Sequence, residues 1–436
     1  MKTDDKKNAN PASANADSHE AFEKAYEAAK SVYASYGVNS DKAIRAALDV
    51  PISIQCWQGD DVTGFEGSQG SGGGILATGN YPGRARTGDE LRSDAQFAFT
   101  LIPGKIRFNL HTLYAETEGK KVSRDELEPE HFKKWMSWSM KNKIHLDFNP
   151  SFFAHPMTDT GFTLSSANSK IRDFWIRHGK ASRKIAGAIG ENQGSPCVNN
   201  IWVPDGSKDL PADRLSPRQR LNDALDDILS VKYGGKTITD AVESKLFGIG
   251  SEAYVVGSHE FYMGYAAKKQ ISLCLDSGHF HPTEALADKI SAALLFIPRL
   301  LIHFSRGIRW DSDHVAIYSD DLRDTCREIA RQKVFGKIDI ALDFFDASIN
   351  RIAAWTIGTR SLRKGLLEAL LEPVKLLIDA EKSGKNHERL ALMEEFKTLP
   401  FSAVWDKLCM EENVPAGSSW LSNVNQYEKE ILEKRK

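Results

Sequence analysis

The stretch ISLCLDSGHFHPTEALADKISAALLFIPRLLIH, residues 271–303, contains one complete structural unit. Its opening run, 271–276, is short, apolar and strand-like, and it ends on Asp276. A helical pattern over 282–296 opens at a proline, which suits a first helical turn. A second apolar run follows at 300–303 and ends on His303. Strand, helix and strand at this spacing describe two parallel strands joined by a crossover helix.

The same unit recurs in both directions. Strands are expected at 52–57, 106–111, 144–149, 198–203, 238–243 and 338–343, with helices at 129–142, 169–189, 217–231 and 320–333. Eight strands in this alternation predict an α/β protein, a (β/α)₈ TIM barrel. Nearly every strand ends on a polar or aromatic residue: Trp57, His111, Asn149, Glu243, Asp276, His303 and Asp343, with Trp202 one position before its end. A parallel barrel brings its strand C-termini to one face, so these side chains are expected to meet in one pocket. Polar residues also end strands simply because loops follow, a reading that holds for any one of them better than for all together.

The barrel is expected over 19–345, between a polar tail (1–18) and a helical C-terminal extension (346–436). Asp17 or Ser18 is expected to cap a helix over 20–35. The extension reads as helices at 348–371, 375–381, 388–397, 403–411 and 424–434, with Pro373 ending the first. It suits either a neighbouring subunit or its own barrel. The glycine-rich run Gly67–Gly74 lacks a following Gly-Lys-Ser/Thr and is not a P-loop. It is expected to act as a lid after the first strand, with Val62, Phe65, Ile75 and Leu76 as its apolar cover.

Charge is nearly balanced, 57 Lys+Arg against 59 Asp+Glu, so no basic field invites nucleic acid or an anionic membrane. Five scattered cysteines without a CxxC pair suggest thiols in a reducing compartment, and the cytoplasm is the expected location. The first 19 residues have no apolar segment of signal-peptide type, and no run approaches the length of a membrane span.

Two acidic and imidazole sets carry the chemistry. Asp311 and Asp313 stand two apart in WDSDH and can face the same side of an extended segment; His279 follows Asp276 in the loop after its strand. Glu243, Asp276, His303 and Asp343 end four different strands, and their mutual repulsion at one mouth is relieved by a divalent cation. Oxygen and imidazole donors suit Mn²⁺, Mg²⁺ or Co²⁺ better than a structural zinc. Each element has a plainer reading, since Asp-x-Asp is common on surfaces and Gly-His is often a turn. Lys245 is a candidate proton donor or carbonyl polariser, or an ordinary solvated lysine. Trp57, Phe148 and Trp202 are candidates for stacking on sugar C–H faces, or simply core.

These segments resemble the L-rhamnose isomerase family. The similarity runs from about Ala25 to the C-terminus through CWQGDDVTGFE at 56, ATGNYPG at 77, LDFNPSFFAHP at 146, NIWVPDG at 200 and VESKLFGIG at 242. FYMGYA at 261, LDSGHFHPTE at 275, RWDSDH at 309 and LDFFDASINRIAAW at 342 extend it. The resemblance implies a homotetrameric, Mn²⁺-dependent aldose–ketose isomerase, with Co²⁺, Mg²⁺ or Zn²⁺ as other candidate ions. It implies one metal on His279, Asp311 and Asp313 and another on Glu243, Asp276, His303 and Asp343. The implied reaction opens the L-rhamnose ring and shifts a hydride between C2 and C1, with Lys245 and Asp343 in the catalytic group. His111, from its position on the second strand, is expected to assist ring opening. Another isomerase or epimerase of the same barrel group is the alternative. A phosphosugar enzyme would need an anion cradle at a helix N-terminus, and none is evident.

Overall fold

The computed structural model describes residues 11–66, 79–158, 161–245, 253–308 and 312–435. Its strands are β1 (Ile52–Gln55), β2 (Ile106–His111), β3 (His145–Asn149), β4 (Cys197–Trp202), β5 (Gly206–Ser207), β6 (Ile238–Glu243), β7 (Tyr254–Val255), β8 (Ser272–Asp276), β9 (Leu300–Phe304) and β10 (Ile338–Leu342). All but β5 and β7 close into one barrel in the order β1-β10-β9-β8-β6-β4-β3-β2, with every pair parallel. The eight expected strands are therefore the eight barrel staves. β5 and β7 form a short antiparallel ribbon from the loops after β4 and β6.

Strand periodicity sorts the residues to two sides. Ile54, Phe108, Leu110, Leu146, Phe148, Ile201, Val242, Leu275, Ile302 and Ile340 belong to the large core between sheet and helices. The alternate positions face the barrel axis. Val198, Ala241, Cys274, Leu301 and Ala341 make a separate apolar layer there. This layer divides the interior into a floor at the strand N-termini and a mouth at their C-termini.

Several boundaries differ from the sequence expectations for local reasons. Trp57 falls just beyond β1, in the 3-10 turn Cys56–Gly59. The helix expected over 282–296 is Leu286–Leu294 instead. Pro282 sits in a turn closed by Glu284 N–H donating to the His281 carbonyl at 2.8 Å. The first helix runs Pro11–Ser35, so Asp17 and Ser18 lie within it and do not cap it. The Gly67–Gly74 run, with Ile75 and Leu76, lies outside the described residues.

Helix Arg351–Leu371 follows β10 and contributes Ile352, Trp355, Leu362 and Leu366 to the barrel core, so it completes the eighth unit. Its fully buried Arg363 donates to the carbonyls of Ala47, Val50, Pro103 and Lys105, fastening the helix to the end of helix Ser40–Asp49 and to the loops at the floor. Beyond it, Val404, Trp405 and Leu408 pack with Tyr26, Ala29 and Tyr33 of the first helix in a second core. The C-terminal helix Phe401–Glu411 thus packs on its own chain.

Candidate active site

At the mouth, β6, β8, β9 and the end of β10 bring Glu243, Asp276, His303 and Asp343 together. One ligand atom from each lies within 4.8 Å of all the others, and all four residues are buried. His303 Nδ1 stands 3.1 Å from Asp343 Oδ2, 3.5 Å from Glu243 Oε1 and 3.6 Å from Asp276 Oδ2. These are the four residues expected from strand ends alone.

Neighbouring donors fix one oxygen of each of two acids and leave the other for the centre. Asp276 Oδ1 accepts from Gly278 N–H at 2.6 Å and Ser305 Oγ at 2.8 Å. Glu243 Oε2 accepts from Asn200 Nδ2 at 2.5 Å. Glu243 Oε1, Asp276 Oδ2 and Asp343 Oδ1 are buried with no hydrogen-bond partner among the described residues, as are both nitrogens of His303. Unsatisfied polar atoms in such number cost several kcal/mol unless a ligand engages them, so the donor set fits a divalent cation.

Electrostatics agree with that reading. Burial is the largest influence and acts to raise Glu243, but His303 and His279 together outweigh it and hold the carboxyl below its usual range. Burial also acts against Asp276, which His279 and His303 nonetheless hold low. For Asp343 burial wins and pushes the carboxyl up to about 6. His303 is raised well above an ordinary imidazole: burial opposes this, but Cys274, Glu243 and the flanking aspartates prevail. Without a cation the cluster must hold protons; with one it need not.

His279 approaches the same centre, its Nδ1 3.1 Å from Glu243 Oε1. Its partners in the second expected set are less fully seen. Asp311 lies outside the described residues. Asp313 is placed beside the end of β10, where its carbonyl accepts from Phe345 N–H at 3.2 Å. Cys274 also reaches Glu243 and His303 at ligand-atom distance, from one layer deeper in the barrel.

Aromatic rings wall the other side. Trp57 stacks on His111, ring centroids 4.1 Å apart, and meets Phe345 edge-on. Lys245 Nζ lies 5.1 Å from the centroid of Trp202, which stacks at 6.5 Å on His279. Phe148 is a correction: β3 turns it outward, where it packs edge-on against Phe132 at 5.1 Å in the helix layer. The ring that reaches the mouth is Phe153, from the loop after β3, edge-on to Trp202 at 5.6 Å and to His111 at 6.4 Å. Period-two reading from Trp202 would have found Asn200; nothing in the sequence marked Phe153 or Ser305.

A model of the family described as L-rhamnose isomerase (RhaA) matches residues 20–435. The chain belongs to the L-rhamnose isomerase family. It is 58% identical over 415 residues to the L-rhamnose isomerase of Rhodopirellula baltica, covering 95% of this chain and 97% of that one. The L-rhamnose isomerases of Citrobacter koseri and Klebsiella pneumoniae are each 56% identical, with 95% and 99% covered. Among solved structures, an L-ribulose 3-epimerase overlaps 73% of this chain and 95% of its own, with 12% identity and a TM-score of 0.46. A D-tagatose 3-epimerase-like protein gives 14% identity and 0.43, over 62% and 90%. Family membership makes this L-rhamnose isomerase homologue an enzyme, and its buried acids and imidazoles can hold a metal ion. Among the described residues, no helix is long and apolar enough to cross a membrane.

Proposed function

We propose that this chain interconverts L-rhamnose and L-rhamnulose by a hydride shift between C2 and C1, with Mn²⁺ as its divalent cation. The observation that carries the reading is the convergence of Glu243, Asp276, His303 and Asp343, whose inward atoms lack hydrogen bonds. Relatives bearing the same enzyme name over nearly their full length favour L-rhamnose over another sugar of the barrel group. Glu243, Asp276, His303 and Asp343 would hold one cation, and His279 with Asp311 and Asp313 a second. When bound, the cations supply Lewis-acid charge to vicinal sugar oxygens.

The chain's own groups do the rest. Trp57, Trp202 and Phe153 offer ring faces and edges to the sugar's C–H surface, limiting water and fixing its orientation. Lys245, held over the Trp202 ring, is placed to donate to the oxygen on which negative charge grows. His111, neutral because burial holds its pKa down at about 3, handles the proton released on ring opening. Asp343, whose Oδ2 lies 3.1 Å from His303 Nδ1, is the third group assigned to the catalytic set, at the edge of the cluster. We place the enzyme in the cytoplasm as a homotetramer.

Isomerisation run in deuterated water tests the chemistry. A hydride shift leaves the ketose C1 almost free of solvent deuterium, whereas substantial incorporation there would sink it in favour of an enediol. Chelation should abolish ketose formation, with Mn²⁺ restoring it better than Mg²⁺. Light scattering of the 48.5 kDa chain reads the oligomer directly.

A further inference from the structure

Of the three fully buried imidazoles among the described residues, His303 belongs to the acid cluster, and burial holds the other two, His111 and His178, at about 3 and therefore neutral. His178 uses both nitrogens: Nε2 accepts from Ser151 N–H at 3.0 Å, and Nδ1 lies 3.2 Å from the Arg124 carbonyl. It is a structural histidine. His111 is different. Its Nε2 lies 3.3 Å from Gln55 Oε1, while its Nδ1 is buried with no hydrogen-bond partner among the described residues.

A neutral imidazole carries one N–H, and its location is set by what the other groups can accept. A glutamine carbonyl oxygen can only accept. With Oε1 toward the ring, the proton sits on Nε2 and the Nδ1 lone pair is left for a ligand. Trp57, two residues after Gln55, stacks on the ring face and fixes its plane. The Gln55 backbone carbonyl is itself held by Trp355 Nε1–H at 2.9 Å. One short segment thus grips His111 by edge and face.

We propose that Gln55 is the positioning residue of His111, fixing its Nε2–H tautomer so that Nδ1 serves as the base in sugar ring opening. This rests on the reading of His111 as the ring-opening group. In the step, the anomeric O1–H gives its proton to Nδ1, and the O1–H electron pair becomes the carbonyl π bond. The C1–O5 bond breaks, O5 keeps its electron pair, and the proton is returned to O5, so the open aldehyde forms with no net change in protonation. A neutral amide suits this better than a carboxylate, because it orients the imidazolium without stabilising it so far that the proton is retained.

The test is ¹⁵N spectroscopy of the full-length, Mg²⁺-loaded protein labelled at histidine, with His111 assigned by its loss in His111→Asn. The wild type is expected to show a protonated Nε2 and a bare Nδ1. Gln55→Leu is expected to lose this bias and to lower kcat on L-rhamnose by roughly tenfold or more, with KM little changed. Gln55→Glu keeps the acceptor and should move the acidic limb of kcat to higher pH, since its charge favours the imidazolium. A protonated Nδ1 in the wild type, or an unaltered tautomer in Gln55→Leu, overturns the proposal. The tautomer judges Gln55 directly, whereas full activity in His111→Asn would remove only the ring-opening reading.

Discussion

The floor and the mouth of the barrel both carry acids on the axis side of the sheet, and they treat them in opposite ways. At the floor, Asp339 is clasped by Arg299 through Nε at 2.5 Å and Nη2 at 2.6 Å. Asp147 takes Arg107 through Nε and Nη2, Ser53 Oγ at 2.7 Å and Val198 N–H at 2.9 Å. Every carboxylate oxygen there has a donor. At the mouth, Glu243, Asp276 and Asp343 face the imidazoles of His279 and His303, and each keeps an oxygen without a hydrogen bond. β10 makes the contrast within four residues, since Asp339 and the following Asp343 lie on the same face of one strand direction. A fixed guanidinium makes an acid structural; its absence leaves the acid for a removable cation.

The largest expected effect lies at the mouth. Glu243→Gln keeps the shape but removes one charge from the centre, and kcat should fall by roughly 10²–10³-fold. Turnover within a few-fold of wild type would remove Glu243 from the cation centre.

The floor should respond in the other coordinate. Arg107→Ala strands the charge of Asp147 in a buried setting and should destabilise the chain by about 3–5 kcal/mol, read from denaturant midpoints. Activity per folded molecule should stay near that of the wild type. The paired change Arg107→Met with Asp147→Leu should recover only part of the loss: it removes the stranded charge but leaves Ser53 Oγ and Val198 N–H without their acceptor. Lost turnover at unchanged stability in Arg107→Ala would erase the distinction between the two ends. A cavity of about 780 Å³ opens at this floor, lined by both ion pairs, and gives the variants room to relax.

This contrast also marks how far the sequence could be read. The eight staves were legible because each is a short apolar run between turn signals, and strand-end chemistry named Glu243, Asp276, His303 and Asp343. Partners were not legible. Nothing local separates Asp339, which has an arginine, from Asp343, which does not, because Arg299 arrives from the preceding unit. Phe148 misled for a related reason: counting to the strand end put it near the mouth, but the parity set by Asp147 and Asn149 turns it outward. Gln55 escaped notice because its significance lies across the β1–β2 pairing, in the ring of His111. The family resemblance supplied the grouping of His279 with Asp311 and Asp313, which no spacing rule could join.

The smallest effect separates the two phenylalanines that flank β3. Phe148 and Phe153 are both almost fully buried, so burial does not distinguish them. Phe148→Leu alters packing in the helix layer, where the ring meets Phe132; it should lower stability by about 1 kcal/mol and leave KM unchanged. Phe153→Leu removes an aromatic edge from Trp202 and His111, a contact worth about 0.5–1.5 kcal/mol. Its effect should appear mainly as a KM for L-rhamnose raised roughly 3- to 10-fold by the lost pocket wall. Measuring both variants by steady-state kinetics and melting sets the helix side of the sheet against its axis side. A raised KM in Phe148→Leu with none in Phe153→Leu would reverse the assignment, and with it the inward and outward faces given to this stave.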